Sequence, residues 1–324
     1  MAFLSLILAL LLDQVKHLHV RAPVLSAFAE YAATVARNFN AGQWRHGLLG
    51  WVICVVPWVV LANLGYLLLY GISPIVGLAW SVCVLYLSLG FRDLNHGYQE
   101  VLEALRAGQL DQARARLALW RGEPADEFTR SEVAKVAIET GLMDSHRHVF
   151  GVIAWFVLVP AVLGTLMPGW LGVLLAGPGG AVLYRLSASL RDSWGTATGD
   201  DRIAFGAFAR DAFRALDWLP ARMTALSFAI VGDFEDAVYC WRAQAAGWYQ
   251  PQQGVILASG AGAIGVRLGE TLHLDGTVSF RPELGLGDEA DVEHMQSAIG
   301  LIWRALVLWV LLVALLTLAS LFGG

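Results

Sequence analysis

Residues 48–70 read LLGWVICVVPWVVLANLGYLLLY and contain no charged side chain. A helix needs about 17–25 apolar residues to span the hydrocarbon core of a bilayer. The runs 72–91, 149–167 and 305–321 also reach this length, and they too lack charged residues. These four runs therefore predict transmembrane helices.

Two shorter apolar segments are weaker candidates for crossing the membrane. Segment 1–12 is a partial or tilted span at best, and segment 170–183 contains the sequence GPGG, so it is either a span or a re-entrant segment. The turns at 73–74 and 167–168 are short, which predicts two membrane hairpins.

The composition of the whole chain supports the same class of protein. Of 324 residues, 57% are hydrophobic and 15% are charged, and the mean hydropathy is +0.57. Soluble domains carry about 25% charged residues. The net charge of −5, without a basic stripe, argues against nucleic acid as a partner. The three cysteines show neither a disulfide framework nor a zinc spacing.

Basic residues predict the orientation. If all six segments cross, the loops 13–47, 92–148 and 185–304 lie on one side and contain all 22 lysines and arginines. Cytoplasmic loops of membrane proteins carry such an excess of basic residues. The sequence therefore predicts an all-α, multi-pass bundle of about five to six membrane segments, forming one membrane domain over 1–324 with a helical cytoplasmic cap.

The loops are expected to be helical as well. Leu94, Tyr98, Val101 and Leu105 form one apolar stripe, and Gly108 breaks that helix. Asp126 or Thr129 is expected to cap a helix at 131–143. A further helix is expected at 203–218, followed by a glycine-rich region at 247–287. No segment alternates at period two for long enough to predict a sheet.

The glycines Gly260, Gly262 and Gly265 match the pattern G-x-G-x-x-G after the apolar run VILAS. A dinucleotide fold requires a long helix after the glycines, and Gly269 and Gly276 would break such a helix. Two other interpretations remain open. Backbone amides of the run approach a phosphate, or the glycines allow a helix to pack closely. The sequence contains no P-loop motif. The histidine pairs at 17/19 and 146/148 have i, i+2 spacing, which does not predict a metal site.

The run DWLPAR, residues 217–222, places an acid and an arginine around Pro220. The proline predicts the end of a helix. Asp217 and Arg222 then form either an ordinary ion pair or part of a polar site, since guanidinium groups suit phosphate and carboxylate. Glu139 is likewise either half of an ion pair or part of a polar site. A buried carboxylate in a helix that leads into a membrane costs free energy unless it binds a partner or a ligand.

The run YRLSASLRDSWG, residues 184–195, crowds charges at the mouth of the apolar segment 170–183. An unpaired ion near a membrane boundary is costly, so partners or ligands should converge there. The sequence predicts one shared cytoplasmic cavity that contains Glu139, Asp192, Arg222, Arg185 and Arg191.

Several runs occur in an order that resembles the CobD/CbiB cobalamin-biosynthesis membrane proteins: AGQLDQARARL, a helix with Glu139, GPGGAVLYR, PAR, GAIGVRLGE and RPELG. The likeness covers most of residues 80–300, and the order carries it more than any single run. The resemblance implies an ATP-dependent enzyme that joins the carboxylate of a corrinoid, adenosylcobyric acid, to aminopropanol or its phosphate.

Other runs resemble the related AmpE membrane proteins, which are tied to β-lactamase regulation. They are DWLPAR, the AIVG that follows it, and LLLDQVKHLHV near the start. The alternative to an enzyme is therefore a non-catalytic membrane sensor or regulatory protein that has lost the ligase site.

The resemblance to the enzymes implies catalytic roles for Glu139, Asp192 and Asp217. It implies substrate or phosphate binding by Arg185, Ser193, Arg222, Gly262, Gly265 and Arg267. Activity would require ATP and Mg²⁺, with a corrinoid and membrane lipid as partners, and a homo-oligomer is left open. The expected location is the bacterial inner membrane, with the main loops in the cytoplasm.

Overall fold

The computed structural model describes residues 2–15, 21–164, 167, 169, 172, 175–195, 200–274 and 277–322. Most of them are helical, which confirms the predicted multi-pass helical architecture. The helices are α1 Ala2–Val15, α2 Arg21–Phe39, α3 Trp44–Ile72, α4 Pro74–Ser88, α5 Phe91–Arg106, α6 Leu110–Arg121, α7 Arg130–Ser145, α8 Gly151–Leu158, α9 Gly179–Trp194, α10 Asp200–Val231, α11 Phe234–Gln244, α12 Pro251–Ile264 and α13 Val292–Phe322.

Four helical stretches among the described residues are long and apolar enough to cross a membrane: Trp44–Ile72, Pro74–Arg106, Arg130–Val162 and Val292–Ser320. Each of them overlaps one of the four long apolar runs of the sequence, and the stretches Pro74–Arg106 and Arg130–Val162 also extend into the predicted loop 92–148. The helix Ala2–Gln14 is apolar but shorter. The predicted segment 170–183 and the turn at 167–168 lie partly outside the described residues.

The described residues form two compact units. Unit 1 combines residues 1–90, 147–218 and 313–324, and unit 2 combines residues 91–146 and 219–312. Each unit therefore draws on candidate spans and on the predicted loops. The interpretation of 1–324 as one membrane domain stays a prediction.

In unit 1, helices α3 and α4 form the hairpin that was expected at 73–74. The Ser73 hydroxyl accepts a hydrogen bond from the Ile75 N–H, and Pro74 occupies the first helical position, where an N–H is not needed. Helix α9 packs on α3. Their shared core buries Cys54, Val55, Leu190, Trp194 and Phe205.

In unit 2, helix α5 buries its predicted apolar stripe, and Gly108 has a φ of 72° at the turn into α6. Thr129 caps α7: its hydroxyl accepts from the Glu132 N–H, and the Glu132 carboxylate accepts from the Thr129 N–H. This capping box selects Thr129 rather than Asp126 as the cap. Helix α12 packs on α11 and on α7.

The expectation of no sheet was wrong. Strands β1 Val266–Leu274, β2 Thr277–Leu284 and β3 Asp288–Glu289 form a sheet in the order β2-β1-β3, with β1 antiparallel to β2 and parallel to β3. A bulge between Leu268 and Glu270 interrupts the register. The glycine at the bulge and the charged residue beside it concealed the period-two pattern.

The expectation that a helix ends near Pro220 was also wrong, because α10 continues to Val231 with Pro220 inside it. A proline in a helix leaves the carbonyl four residues earlier without its N–H donor. Here the Trp155 indole N–H donates to that carbonyl, on Leu216, at 3.1 Å. A partner from another helix thus satisfies the group that the proline leaves open.

Candidate functional site

Helix α7 presents three buried charged side chains on one face. Glu132, Lys135 and Glu139 are spaced at i, i+3 and i+7, and each is less than one-tenth exposed. Helix α7 packs against β1, where the partners of all three lie. Burial of charges is tolerated only when they are paired and hydrogen-bonded, so this face is a built feature of unit 2.

Glu139 is held by Arg281 and by the bulge in β1. Arg281 donates to both oxygens of the Glu139 carboxylate, at 2.7 and 3.0 Å, and the Gly269 N–H donates at 2.8 Å. Arg281 also donates to the Gly269 carbonyl at 2.8 Å. The bulge removes the Gly269 backbone groups from the β1–β2 ladder, and this ion pair satisfies them.

Lys135 and Glu132 complete the contact of α7 with the hairpin. The Lys135 Nζ lies 2.6 Å from Oε2 of Glu270, and Arg267 lies 3.7 Å from the other oxygen of that carboxylate. Glu132 accepts from the backbone N–H of His273 at 3.0 Å and contacts its Nδ1 at 2.8 Å. The three carboxylates of this cluster thus face two arginines and one lysine, and the His273 ring is a further contact of Glu132.

The glycine run lies in a helix rather than after a strand. Gly260 and Gly262 both lie in α12. Gly260 packs against Leu142, and Gly262 packs against the backbone of Asp236. Gly265 ends that helix with a φ of 67°. The C-terminal end of a helix repels anions because its free carbonyls point outward. This placement favours the packing interpretation of Gly260 and Gly262 over phosphate binding.

In unit 1, a tyrosine and an aspartate form a buried pair. The Tyr184 hydroxyl of α9 donates to Oδ1 of Asp217 in α10 at 2.7 Å, and both side chains are buried. Gly151 of α8 leaves room for the Tyr184 ring, since a Cβ at that position would overlap the ring. Burial and then the Asp217 charge raise the pKa of Tyr184 well above 10, so the phenol keeps its proton.

The charges of nearby arginines act on this pair. Arg191 donates to Asp192 at 2.7 Å and lies over the Phe213 ring at 5.8 Å. Burial, followed by the charge of Arg147, lowers the pKa of Arg191, whereas Asp192 and Asp217 raise it. Arg147 and Arg185 also act on the Tyr184 hydroxyl through their charges. The side chain of Asp192 is 56% exposed, which makes it the acid of this cluster most open to solvent.

Ser193 lines a cavity of about 510 Å³ between α2, α9 and α10. The walls are mostly apolar, with one arginine at the rim, and the lining residues are Ala29, Ala33, Ala36, Arg37, Asn40, Ser193, Trp194 and Phe205. The Ser193 hydroxyl itself donates to the Ser189 carbonyl at 2.9 Å. Ser193 therefore lies beside a cavity, and its hydroxyl proton is engaged in a hydrogen bond within α9.

The predicted site residues divide between the two units. Unit 1 contains Arg185, Asp192, Ser193 and Asp217, and unit 2 contains Glu139, Arg222, Gly262, Gly265 and Arg267. Burial lowers the pKa of Arg222. The shared cavity expected for Glu139, Asp192 and Arg222 stays a prediction.

The sequence pattern did not indicate which residues pair with Glu139 and Glu270. Arg281 lies within the quoted run RPELG, and Lys135 lies one turn before Glu139. The i, i+3, i+7 spacing of charges in an otherwise apolar helix was the signal available for α7. For Arg281 the sequence contained no signal of its partner, which is 142 residues away.

Known proteins are similar to this chain over most of its length. A protein named cobalamin biosynthesis protein CobD from Stutzerimonas stutzeri is 35% identical over 329 residues, covering 99% of this chain and 98% of that protein. A protein of the same name from Chromobacterium violaceum is 34% identical and covers 73% of this chain and 70% of its own length. No solved structure matches the chain. Residues 4–302 match the family described as CobD/Cbib protein, and the chain therefore belongs to the CobD/CbiB family of cobalamin-biosynthesis proteins.

Proposed function

We propose that the protein catalyses ATP-dependent amide formation between a corrinoid carboxylate and aminopropanol or its phosphate. Membership of the CobD/CbiB family supports the pathway. The observation that carries the chemistry is the cluster in unit 1, where a buried Tyr184–Asp217 pair lies beside arginines and the exposed Asp192. Such a mixture of charges suits a reaction between anionic and cationic groups.

The reaction requires activation of the corrinoid acid. One carboxylate oxygen attacks the γ-phosphorus of ATP and releases ADP, which leaves an acyl phosphate. The amine nitrogen then attacks the acyl carbon, phosphate leaves, and the nitrogen loses a proton to a base. Guanidinium groups such as Arg185 and Arg191 counter the phosphate charge.

Mg²⁺ in nucleotide sites is held by one or two carboxylates together with the phosphates. Asp192 fits this requirement, because more than half of its side chain is exposed and Arg191 occupies only one side of it. Bound Mg²⁺ would neutralise phosphate charge. In this proposal Glu139 positions the hairpin that carries Arg267, because its carboxylate is already occupied by Arg281.

We also propose that the main loops face the cytoplasm of a bacterial inner membrane. All 22 basic residues lie in loops of the same predicted side. ATP is present on that side, and a large amphiphilic corrinoid can approach the membrane surface from there.

Growth complementation tests the proposed reaction. The chain is expressed in a strain that lacks its own corrinoid ligase, and growth is compared on cobyric acid, the substrate, and on cobinamide, which bypasses the step. We expect the wild-type chain to restore growth on cobyric acid. Asp217→Asn should abolish that growth while growth on cobinamide continues, and Asp211→Asn, an exposed position of α10, is the matched control.

Immunoblots of the membrane fraction check that the variants accumulate. If the ligase-deficient strain that expresses the wild-type chain grows on cobinamide but not on cobyric acid, with the chain present in the membrane, the result would contradict the enzyme and support the sensor alternative.

A further inference from the structure

The proposed chemistry leaves the cavity beside Ser193 without a role. All of its lining residues belong to unit 1. Its volume of about 510 Å³ lies within the range of roughly 300–1,000 Å³ that is usual for small-molecule sites. The cavity is therefore large enough for an organic ligand.

The walls of this cavity are apolar. Ala29, Ala33 and Ala36 of α2 are spaced at i, i+4 and i+7, so they lie on one face of the helix and present only methyl groups. Helices α9 and α10 contribute Trp194 and Phe205, whose ring centroids are 4.9 Å apart with the ring planes tilted by 52°. Rings in such contact leave no slot between them for a planar base. The walls suit a flexible hydrocarbon chain.

The rim of the cavity is polar and positively charged. Arg37 donates to the Thr34 hydroxyl of its own helix at 2.8 Å, and the described part of the chain offers it no carboxylate. The Asn40 side-chain oxygen accepts from the Gly42 N–H, which leaves the Asn40 NH₂ group available as a donor. Water satisfies an exposed guanidinium, so the charge alone identifies no ligand. A cation beside an apolar cavity, however, matches a ligand with an apolar part and an anionic part.

Trp194 adds a buried donor to this arrangement. The residue is only 5% exposed, and none of the described residues accepts a hydrogen bond from its indole N–H. A buried donor without an acceptor costs free energy. An oxygen atom of a ligand in the cavity would offset that cost.

The rim lies close in sequence to the membrane boundary. The apolar stretch Trp44–Ile72 begins shortly after Asn40. Phe39 and Trp44, on either side of the connection, are 42% and 48% exposed. Exposed aromatic residues next to a span are typical of the interface between lipid and water. Membrane lipids are therefore the amphiphiles within reach of this cavity.

We propose that the cavity binds an anionic phospholipid. One acyl chain lies against the alanine face of α2 and the Trp194–Phe205 pair, and the headgroup phosphate lies at Arg37 and Asn40. Burial of the chain removes methylene groups from water, and the guanidinium fork matches the phosphate oxygens. The inference goes beyond the proposed function and does not depend on it, because a lipid in this cavity supplies no reacting group.

The test is lipid binding to the delipidated full-length protein in a neutral detergent, with dissociation constants from native mass spectrometry. Three probes separate the parts of the ligand. Dioleoyl phosphatidylglycerol carries chains and phosphate, dioleoylglycerol carries the chains alone, and glycerol phosphate carries the phosphate alone. We expect phosphatidylglycerol to bind at least roughly ten-fold more tightly than either of the others, because only this probe uses both the walls and the rim.

Arg37→Gln tests the headgroup contact. It should weaken binding of phosphatidylglycerol by roughly ten-fold, as for loss of a charge-assisted hydrogen bond, and should leave dioleoylglycerol unchanged. Arg45→Gln is the matched control, because Arg45 is an exposed arginine near the same boundary that does not line the cavity. A general attraction between basic residues and anionic lipid would make the two losses equal.

Ala33→Phe tests the chain contact. The phenyl group fills the cavity and should weaken phosphatidylglycerol and dioleoylglycerol alike. Ala27→Phe is its control, because Ala27 is an exposed residue of α2 outside the cavity. Both alanines are exposed, so neither variant should lower the melting temperature without lipid. If Ala33→Phe does lower it, Ala29→Phe, at another exposed position of the wall, takes its place.

Equal losses in Arg37→Gln and Arg45→Gln would overturn the proposal, and so would undiminished lipid binding in Arg37→Gln or in the cavity-filling variant. Glycerol phosphate that binds as tightly as phosphatidylglycerol would indicate a soluble phosphate ligand and would also overturn it. The proposed function fails separately, in the complementation experiment. A chain that binds phosphatidylglycerol through Arg37 but does not restore growth on cobyric acid keeps this inference and loses the ligase.

Discussion

In unit 2, an ion pair and hydrogen bonds offset the free-energy cost of burying the Glu139 carboxylate. Glu139 and Arg281 are each about nine-tenths buried, and three hydrogen bonds reach the Glu139 carboxylate. A pair of this kind contributes little net stability relative to an apolar pair, yet loss of one partner is severe. The family resemblance implies a catalytic role for Glu139. In the structure, the position of the β1–β2 hairpin also depends on this residue.

Replacing Arg281 by methionine should therefore destabilise the protein. Glu139 would remain buried without its counterion, and we expect a loss of about 3–5 kcal/mol in the free energy of unfolding. Chemical denaturation in mild detergent measures the change. Arg214→Met, which removes an exposed ion pair, is the control and should cost at most about 1 kcal/mol. Equal losses in the two variants would show that the buried pair has no special weight.

At the scale of elements, helix α10 shows how tertiary contacts override local rules. Pro220 lies within the helix, and the Leu216 carbonyl finds its donor in the Trp155 indole. As the sequence indicated, Pro220 provides no backbone N–H for the Leu216 carbonyl. The continuation of the helix depended on a side chain 61 residues away.

This substitution of one donor for another can be measured as a double-mutant cycle. Trp155→Phe removes the donor and should cost about 1–3 kcal/mol, because a carbonyl is left without a partner. In the background of Pro220→Ala the same change should cost clearly less, since the backbone N–H that alanine restores can bond to the Leu216 carbonyl. Equal costs in both backgrounds would mean that the indole contact and the proline are not coupled.

At the scale of the whole molecule, the described helices indicate a membrane protein, and the sequence predicts that its two faces differ in charge. Four helical stretches among the described residues can cross the bilayer, and every basic residue falls in the loops of one predicted side. Two positions suit a test of this asymmetry, because both side chains are 77% exposed. Leu119 lies in the loop 92–148, and Ile72 lies at the turn of the α3–α4 hairpin.

Cysteine labelling in intact cells decides the orientation. In a background with Cys83→Ser, a membrane-impermeant maleimide should label Ile72→Cys from outside and should leave Leu119→Cys unmodified until the cells are opened. The physical reason is the retention of basic loops in the cytoplasm. Labelling of Leu119→Cys in intact cells would place the loop 92–148 outside and reverse the orientation.

The sequence by itself determined the membrane helices and the family resemblance, and it narrowed the α7 cap to Asp126 or Thr129. Length, hydropathy and capping depend on residues that are near one another in the chain, so 48–70 and the start of α7 could be interpreted without the fold. For the site, the sequence identified charged residues near the membrane, including Glu139 and Asp192, but not what each one contacts.

Only the tertiary structure decided the partners of those residues. The Glu139–Arg281 pair joins residues 142 positions apart, and Tyr184 reaches Asp217 across 33. The small sheet also depended on the tertiary structure, because the Glu139–Arg281 ion pair stabilises the bulge at Gly269. Burial makes each charge require a partner, and only the packing of distant segments determines which partner is within reach.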